Sequence, residues 1–468
     1  MTSPPCDEDG LSAAGDFCRI AADLRNLTTS QTGATGQSRP TLSVNIRDGT
    51  GMTNPDAWGE TLAECRRLDR EDPLTPLSRQ FALPRGVIYL DGHSLGPLTR
   101  SASAAVERTV RGEWGPMIIG GWNEADWIGL PARTAARIAP LIGAAPEETA
   151  CADSVSVNLF KLAAGALALR PERKTILMLE GEFPTDGYVL QGLVRLRPDI
   201  RLKTVPAKDL KMALDQETAL LVASHADYRT GALTDLPGLS QAAAAVGALS
   251  LWDLSHTTGL ATIDLNGAGA DMAVGCGYKY LCGGPGAPAF AFLARRHHAG
   301  FPNPIAGWMG HARPFDFEAT YSPASGADRL MAGTPPILSM AALHASLDLF
   351  EGVAPDALLA RSRSLSSLFE RLTAPMAKAY GFTLVSPADA GRRGGHLAYT
   401  HPDGYPIVQA LIAAGVVGDF RAPDLIRFGF SPLVVSRAQV WTAARRFAVV
   451  MDNGTWRDPA FSRRQTVT

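Results

Sequence analysis

The chain has 468 residues, 46% hydrophobic and 19% charged, with 44 Lys+Arg against 46 Asp+Glu and a formal net charge of −2. That length exceeds one minimal domain and suits two or three packed ones around a large core. The charge balance supplies no field to attract nucleic acid or an anionic membrane, so an anionic ligand must be held by local groups. No apolar run approaches the roughly 20 residues of a membrane helix. The start, MTSPPCDEDG, lacks an apolar signal region. The six cysteines, Cys6, Cys18, Cys65, Cys151, Cys276 and Cys282, form no CxxC pair and no zinc spacing. These features predict a reduced, cytoplasmic protein without a metal site. Among the nine histidines no HExxH pattern occurs, and His297–His298 reads as a solvated surface pair.

Residues 1–52, rich in Ser, Thr, Gly and Asp around one mildly amphipathic stretch, Leu11 to Leu27, read as a disordered extension. Residues 53–140 read as the first part of a small domain with linking helices: a helix over Ala57 to Arg70, a short strand at Val87 to Leu90, then helices over Ser101 to Glu113 and Trp127 to Ile142. Residues 141–336 read as a large α/β domain. A helix at 156–170 is entered through SVSVN, and the β-rich runs 175–179, 201–205, 219–224, 248–254 and 271–275 alternate with helical segments. Such alternation indicates a mainly parallel sheet covered on both faces. Residues 337–468 read as a smaller α+β domain, with helices over Ile337 to Phe350 and Leu358 to Tyr380 and strands at 396–400 and 425–430.

In such sheets ligands sit just past the carboxyl ends of the strands. The unusual polar residues fall there: Phe183 and Asp186 after TILML, Ser224 after ALLVA, Asp253 and His256 after ALSLW, and Tyr278 and Lys279 after DMAVG. Singly, each has an ordinary reading as a cap, turn or loop residue. GCGYKY is not a dinucleotide fingerprint, and no GxxxxGK[ST] loop occurs. Together they match what pyridoxal phosphate requires. The cofactor needs a lysine to hold it covalently and a carboxylate at its ring nitrogen. It also needs small polar donors at a helix N-terminus for the phosphate, and a flat residue over the ring. The order of polar helix start, stacking residue, Asp, and Lys 26 positions later is that of fold-type-I enzymes.

The segments YLDGHSLG (89–96), DSVSVN (153–158), EFPTD (182–186), SHADYRTG (224–231), DLSHTTG (253–259), GCGYKYLCGGPGAPAF (275–290), GWMGH (307–311), AGTPPI (332–337) and FRAPDLIRFGF (420–430) resemble, in order, those of the kynureninases, within the aminotransferase class V group. The resemblance implies pyridoxal-phosphate-dependent hydrolysis of L-kynurenine to anthranilate and L-alanine in tryptophan degradation, with 3-hydroxykynurenine a slower substrate. It implies that Lys279 carries the cofactor and moves the substrate α-proton, that Asp253 pairs with the ring nitrogen, and that Tyr278 donates a proton. Val155, Ser156 and Tyr278 would hold the phosphate and Phe183 would stack on the ring. Pro184, Thr185, Asp186, Ser224 and His256 would complete the cofactor's surroundings. Trp308 and Thr334 would reach the phosphate from the other subunit of a homodimer. Arg427 would bind the substrate α-carboxylate, with Gly333 and His93 near its aromatic end. The chain departs from the family at His93 and Cys282, where Asn is usual, and at Asp227 and Arg229, where Asn and Lys are common. Competing activities on the same fold are an aminotransferase, a cysteine desulfurase or selenocysteine lyase, and a non-catalytic cofactor-binding protein. The desulfurase needs a cysteine well after the lysine, whereas the last one here is Cys282.

Overall fold

The structure is a computed structural model that describes residues 60–464; the extension and its amphipathic stretch lie outside the described residues. The fold is α/β. Its central sheet has seven strands in the order β2-β8-β7-β6-β5-β3-β4. These are β2 (Thr149–Cys151), β3 (Thr175–Leu179), β4 (Arg201–Val205), β5 (Thr218–Ser224), β6 (Leu249–Asp253), β7 (Met272–Cys276) and β8 (Ala289–Leu293). Neighbours from β7 to β4 run parallel, and only β8 is reversed, pairing antiparallel with β7 and β2. Every residue of β3, β5, β6 and β7 is buried, which is why each reads as a continuous apolar run rather than an alternating one. Edge strand β4 buries only Val205 and exposes Arg201 and Lys203, charges that discourage pairing with another chain.

The β-rich runs place β3 and β4 to the residue and the other parallel strands to within one residue. The sequence reading missed β2 and β8. A three-residue strand carries too short a pattern, and the apolar AFAFL of β8 follows a Gly/Pro-rich turn. Helix ends are set by local chemistry. The helix Val155–Leu169 is capped by Ser154 Oγ, which accepts from Val157 N. Pro355 opens the helix Pro355–Tyr380, three residues before the expected start, and left-handed Gly381 closes it at φ 76°. The helix expected to reach Glu113 is α-helical only over Arg100–Arg108, then widens into a π-turn at Thr109–Trp114. The one expected over Trp127 to Ile142 is confined to Leu130–Ile138 plus a 3₁₀ turn.

A second sheet, ordered β12-β13-β10-β9, is antiparallel: β9 (Thr383–Leu384), β10 (His396–Thr400), β12 (Asp419–Arg421) and β13 (Leu425–Gly429). Beside it β1 (Ile88–Tyr89) pairs parallel with β11 (Val416–Val417), so an early segment is tied to a late one. Asp69 strengthens that tie, its carboxylate accepting from the N–H groups of Arg437 and Ala438 at the start of the helix Arg437–Asp452.

The histidine pair is not a solvated surface. His297 Nε2 lies 2.7 Å from Asp271 Oδ1, and His298 Nε2 donates to the Leu293 carbonyl at 2.8 Å. His297 is held at the start of β7 and His298 at the end of β8, because a short 3₁₀ turn folds the two rings back on the sheet instead of letting them diverge on a helix. Among the described residues no single helix is long and apolar enough to cross a membrane.

Candidate active site

The carboxyl ends of β3, β6 and β7 open onto a cavity of about 290 Å³. Its lining includes Val155, Ser156, Phe183, Thr185, Asp186, Asp253, His256, Tyr278 and Lys279, nine of the residues singled out in the sequence. At one end lies the N-terminus of the helix Val155–Leu169, whose first N–H groups have no intrahelical partners and favour an anion. Asp153, adopting φ 51°, bends the chain into that helix start. Its carboxylate is bonded by the buried Lys161, whose ammonium also donates to the Leu330 carbonyl at 2.6 Å.

At the other end stand acids. Asp253, the last residue of β6, accepts from Ser255 N at 2.7 Å through Oδ1. Asp186 lies in the first turn of the helix Pro184–Leu196, with Pro184 at the N1 position that tolerates a missing N–H. Its buried Oδ2 has no hydrogen-bond partner. Burial, with the charges of Asp253 and Glu182 next, raises the Asp186 carboxyl well above the carboxylate range. Buried carboxyls crowded around an unpaired oxygen call for a cation or a donor between them.

Lys279 follows β7. Its Nζ is 3.2 Å from His256 Nε2 and lies over the rings of Phe183 and Tyr278, 5.9 and 5.8 Å from their centroids. Burial and the Lys279 charge hold His256 well below its usual value, so its ring is neutral. Burial pushes the Tyr278 phenol upward, so it keeps its proton. The lysine loop is locked to the turn after β1: Gly96 N donates to the Tyr278 carbonyl at 2.8 Å. A Cβ on Gly96 would stand 2.2 Å from the Lys279 carbonyl oxygen, so only glycine allows this approach.

Ser224 does not line the cavity. Its N–H donates to Glu182 Oε1 at 2.6 Å and its hydroxyl to Oε2, so the part-buried acid Glu182 occupies it. Burial pushes Glu182 up to about 7 despite those bonds. Arg427 and His93 lie behind His256 rather than on the cavity wall. Arg427 Nη1 donates at 2.5 Å to the carbonyl of Tyr228, whose ring meets Phe183 edge-on with centroids 5.3 Å apart. The His93 ring stacks on His396 at 4.8 Å, and His396 lies 6.3 Å from the ring of His256. Trp308, Gly333 and Thr334 are exposed and do not reach this chain's cavity; Trp308 packs on Phe315 and Phe317.

Glu182, Tyr228, His396, Asp91 and Asp419 were not singled out in the sequence. Glu182 stood inside a recognised segment. Asp419 acquires its place only through register, since β12 and β13 put it opposite Arg427. Asp91, His93 and Asp419 could offer atoms to a cation, all within 4.8 Å of one another. The Arg427 guanidinium already bonds both Asp419 oxygens and supplies that positive charge.

The family model for the kynureninase C-terminal domain matches residues 358–447. A curated kynureninase of Burkholderia mallei (strain SAVP1) is 44% identical over 416 residues, covering 87% of this chain and 100% of the relative. The chain belongs to the kynureninase family. A curated kynureninase of Deinococcus radiodurans is likewise 44% identical over 396 residues, covering 84% of this chain and 96% of its own length. Kynureninases are pyridoxal-phosphate-dependent hydrolases. Among solved structures, the apo cysteine desulfurase of Thermococcus onnurineus NA1 superposes with a TM-score of 0.67 over 81% of this chain and 97% of that one. At 16% identity that likeness shows a common fold alone. The four cysteines of the described residues, Cys65, Cys151, Cys276 and Cys282, are all buried. None is an exposed thiol of the kind desulfurase chemistry needs.

Proposed function

We propose that the chain hydrolyses L-kynurenine to anthranilate and L-alanine with pyridoxal 5′-phosphate, and that the cavity around Lys279 is where it does so. One observation carries the reading. In a chain 44% identical to kynureninases, a lysine without a carboxylate partner, a buried acid with one unpartnered oxygen, a helix N-terminus and a half-exposed phenyl ring meet in a single cavity. Those groups fit the cofactor. Val155 and Ser156 would hold its phosphate, Asp253 and Asp186 its protonated ring nitrogen, Phe183 and His256 its ring faces, and Lys279 its aldehyde carbon.

When bound, the cofactor supplies an electron sink for the pair left at the substrate Cα. The chain's residues do the rest. Arg427 holds the α-carboxylate and so orients the Cα–H toward Lys279 Nζ, which takes that proton. The neutral His256 ring leaves no cation beside Lys279 to oppose the positive charge it gains with that proton. Once water has added to the γ-carbonyl, the Cβ–Cγ bond breaks, the acyl group leaves as anthranilate, and Tyr278, protonated at its phenol oxygen, is the donor to the Cβ left behind.

A homodimer completes the site. Leu98, Trp114, Ile118, Ile119, Phe315 and Phe317 are more than half exposed, apolar side chains that a second subunit would cover. Across a twofold axis Trp308 and Thr334 of each subunit would reach its partner's cavity. The boundaries at residues 140 and 336 belong to the same reading: a cofactor-binding body flanked by a smaller one from both chain ends. Incubation of the cofactor-loaded protein with L-kynurenine tests the function. Anthranilate fluorescence should rise with one L-alanine per anthranilate; pyruvate or the cofactor's amine form as the end product would replace hydrolysis with another class V activity.

A further inference from the structure

Behind the cavity, around Arg427, lies a buried polar cluster. Asp91, His93 and Ser94 form the turn after β1. It is anchored where Leu90 N donates to the Val417 carbonyl and Gly429 N to the Leu90 carbonyl, at 2.7 and 2.6 Å. His93 is fully buried, and neither ring nitrogen has a hydrogen-bond partner. Nδ1 is 3.6 Å from Asp91 Oδ1, and Nε2 is 3.8 Å from Asp419 Oδ1. The ring fits only because residue 429 is glycine, whose Cβ would stand 2.3 Å from Nδ1. Asp91 Oδ1 is also unpartnered.

Every charged group facing His93 can be named. Asp91 shares its turn, Asp419 and Arg421 come from β12, Arg427 from β13, His396 from β10, His256 from the turn after β6, and Lys279 from the loop after β7. Asp419 is bonded by Arg427 and lies 2.9 Å from Arg421 Nη2. Two guanidinium groups therefore share one carboxylate, and burial with the Asp419 charge holds the Asp91 carboxyl toward its neutral form. That local excess of positive charge, added to burial, keeps His93 neutral in the free protein. A carboxylate arriving at Arg427 cancels the excess. The imidazole is then a buried base between two acids with a new anion close by, the condition that favours its cationic form.

We infer that binding of the substrate carboxylate at Arg427 is coupled to uptake of one proton by His93, which bridges Asp91 and Asp419 once charged. His93 is thus a positioning residue: protonated, it donates to both acids and holds Asp419 while Arg427 turns part of its fork to the substrate. An asparagine at this position could not take that proton. The inference rests on the reading of Arg427 as the carboxylate site.

The test uses the cofactor-loaded protein and 4-oxo-4-phenylbutanoate, an aryl-ketone acid with no amine and so unable to condense with the cofactor. Calorimetric titration at pH 7.5 in two buffers of different ionisation enthalpy counts the protons exchanged. The expected result is uptake approaching one proton per site, with Kd weakening about tenfold per pH unit above neutrality. In His93→Asn and His93→Gln the probe should still bind, with uptake close to zero and a flat pH dependence. Equal uptake in wild type and both variants, or no uptake in any, overturns the coupling while leaving the carboxylate site intact. Arg427→Gln should abolish probe binding in every buffer; unchanged binding there overturns the carboxylate reading itself.

Discussion

Arg427 can be removed in a way that separates holding the fold from holding the substrate. Its guanidinium is 2% exposed and engaged through four of its five N–H groups: Nε donates to Asp419 Oδ1 at 2.8 Å, Nη2 to Asp419 Oδ2 and to Ser94 Oγ, and Nη1 to the Tyr228 carbonyl. Arg427→Gln leaves Asp419 buried with only Arg421 and Ser94 as partners. Removing one member of a buried pair costs about 3–5 kcal/mol, and those two partners set the expectation at the lower end, about 3 kcal/mol. The double variant Asp419→Asn/Arg427→Gln removes the orphaned charge as well and should regain most of that stability in denaturant unfolding. Substrate binding should not return, because no cation remains to meet the α-carboxylate. Losing such a contact costs on the order of 2–5 kcal/mol, a rise in KM of roughly 30-fold to several-thousand-fold. Stability from unfolding curves and KM from steady-state turnover would therefore part company in the double variant. If stability and KM recovered together, Arg427 would be a structural arginine and the substrate carboxylate would bind elsewhere.

Glu182 gives a pH prediction. Its folded value of about 7 lies above the ordinary 4.5, so the folded state binds the proton more tightly. The associated stability is full below about pH 4.5 and is lost as pH rises through 7, by on the order of 3 kcal/mol. Glu182→Gln keeps an acceptor for Ser224, so unfolding of the cofactor-free variant should be less pH-dependent between pH 5 and pH 8; an unchanged slope would place the titration elsewhere. For the dimer, mixing inactive Lys279→Ala subunits with Trp308→Ala subunits should restore part of the activity through one intact composite site, whereas a fully active monomer in sedimentation would exclude shared sites. Gly333 offers no side-chain partner to a ring hydroxyl, and burying that hydroxyl unpaired costs free energy. L-kynurenine should therefore be preferred over 3-hydroxykynurenine by about tenfold in kcat/KM, about 1.4 kcal/mol, in direct competition; equal turnover would show that position 333 does not set the choice.

The sheet was legible because buried parallel strands are uniformly apolar, as TILML and ALLVAS are, and because polar residues at their carboxyl ends stand out against such runs. Lys279, Asp253 and Phe183 announce themselves in that way, and all three line the cavity. What was hidden depends on distance along the chain. Ser94 and Asp419 bond across 325 positions, and Arg427 reaches the Tyr228 carbonyl across 199. Glu182 was hidden differently: its carboxylate looks like a surface charge until the fold turns it onto Ser224. His297 and His298 misled because adjacent residues were assumed to diverge as on a helix, whereas a 3₁₀ turn brings both back to the sheet.

The central claim is that the cavity is built around Lys279 as the cofactor's point of attachment. The cofactor-loaded protein, reduced with borohydride and digested, should yield a single modified peptide carrying the reduced cofactor's mass on Lys279 of GCGYKYLCGG, with the visible absorption band lost in step. Modification of Lys161 or any other lysine, or loss of the band with no modified peptide, would contradict the account.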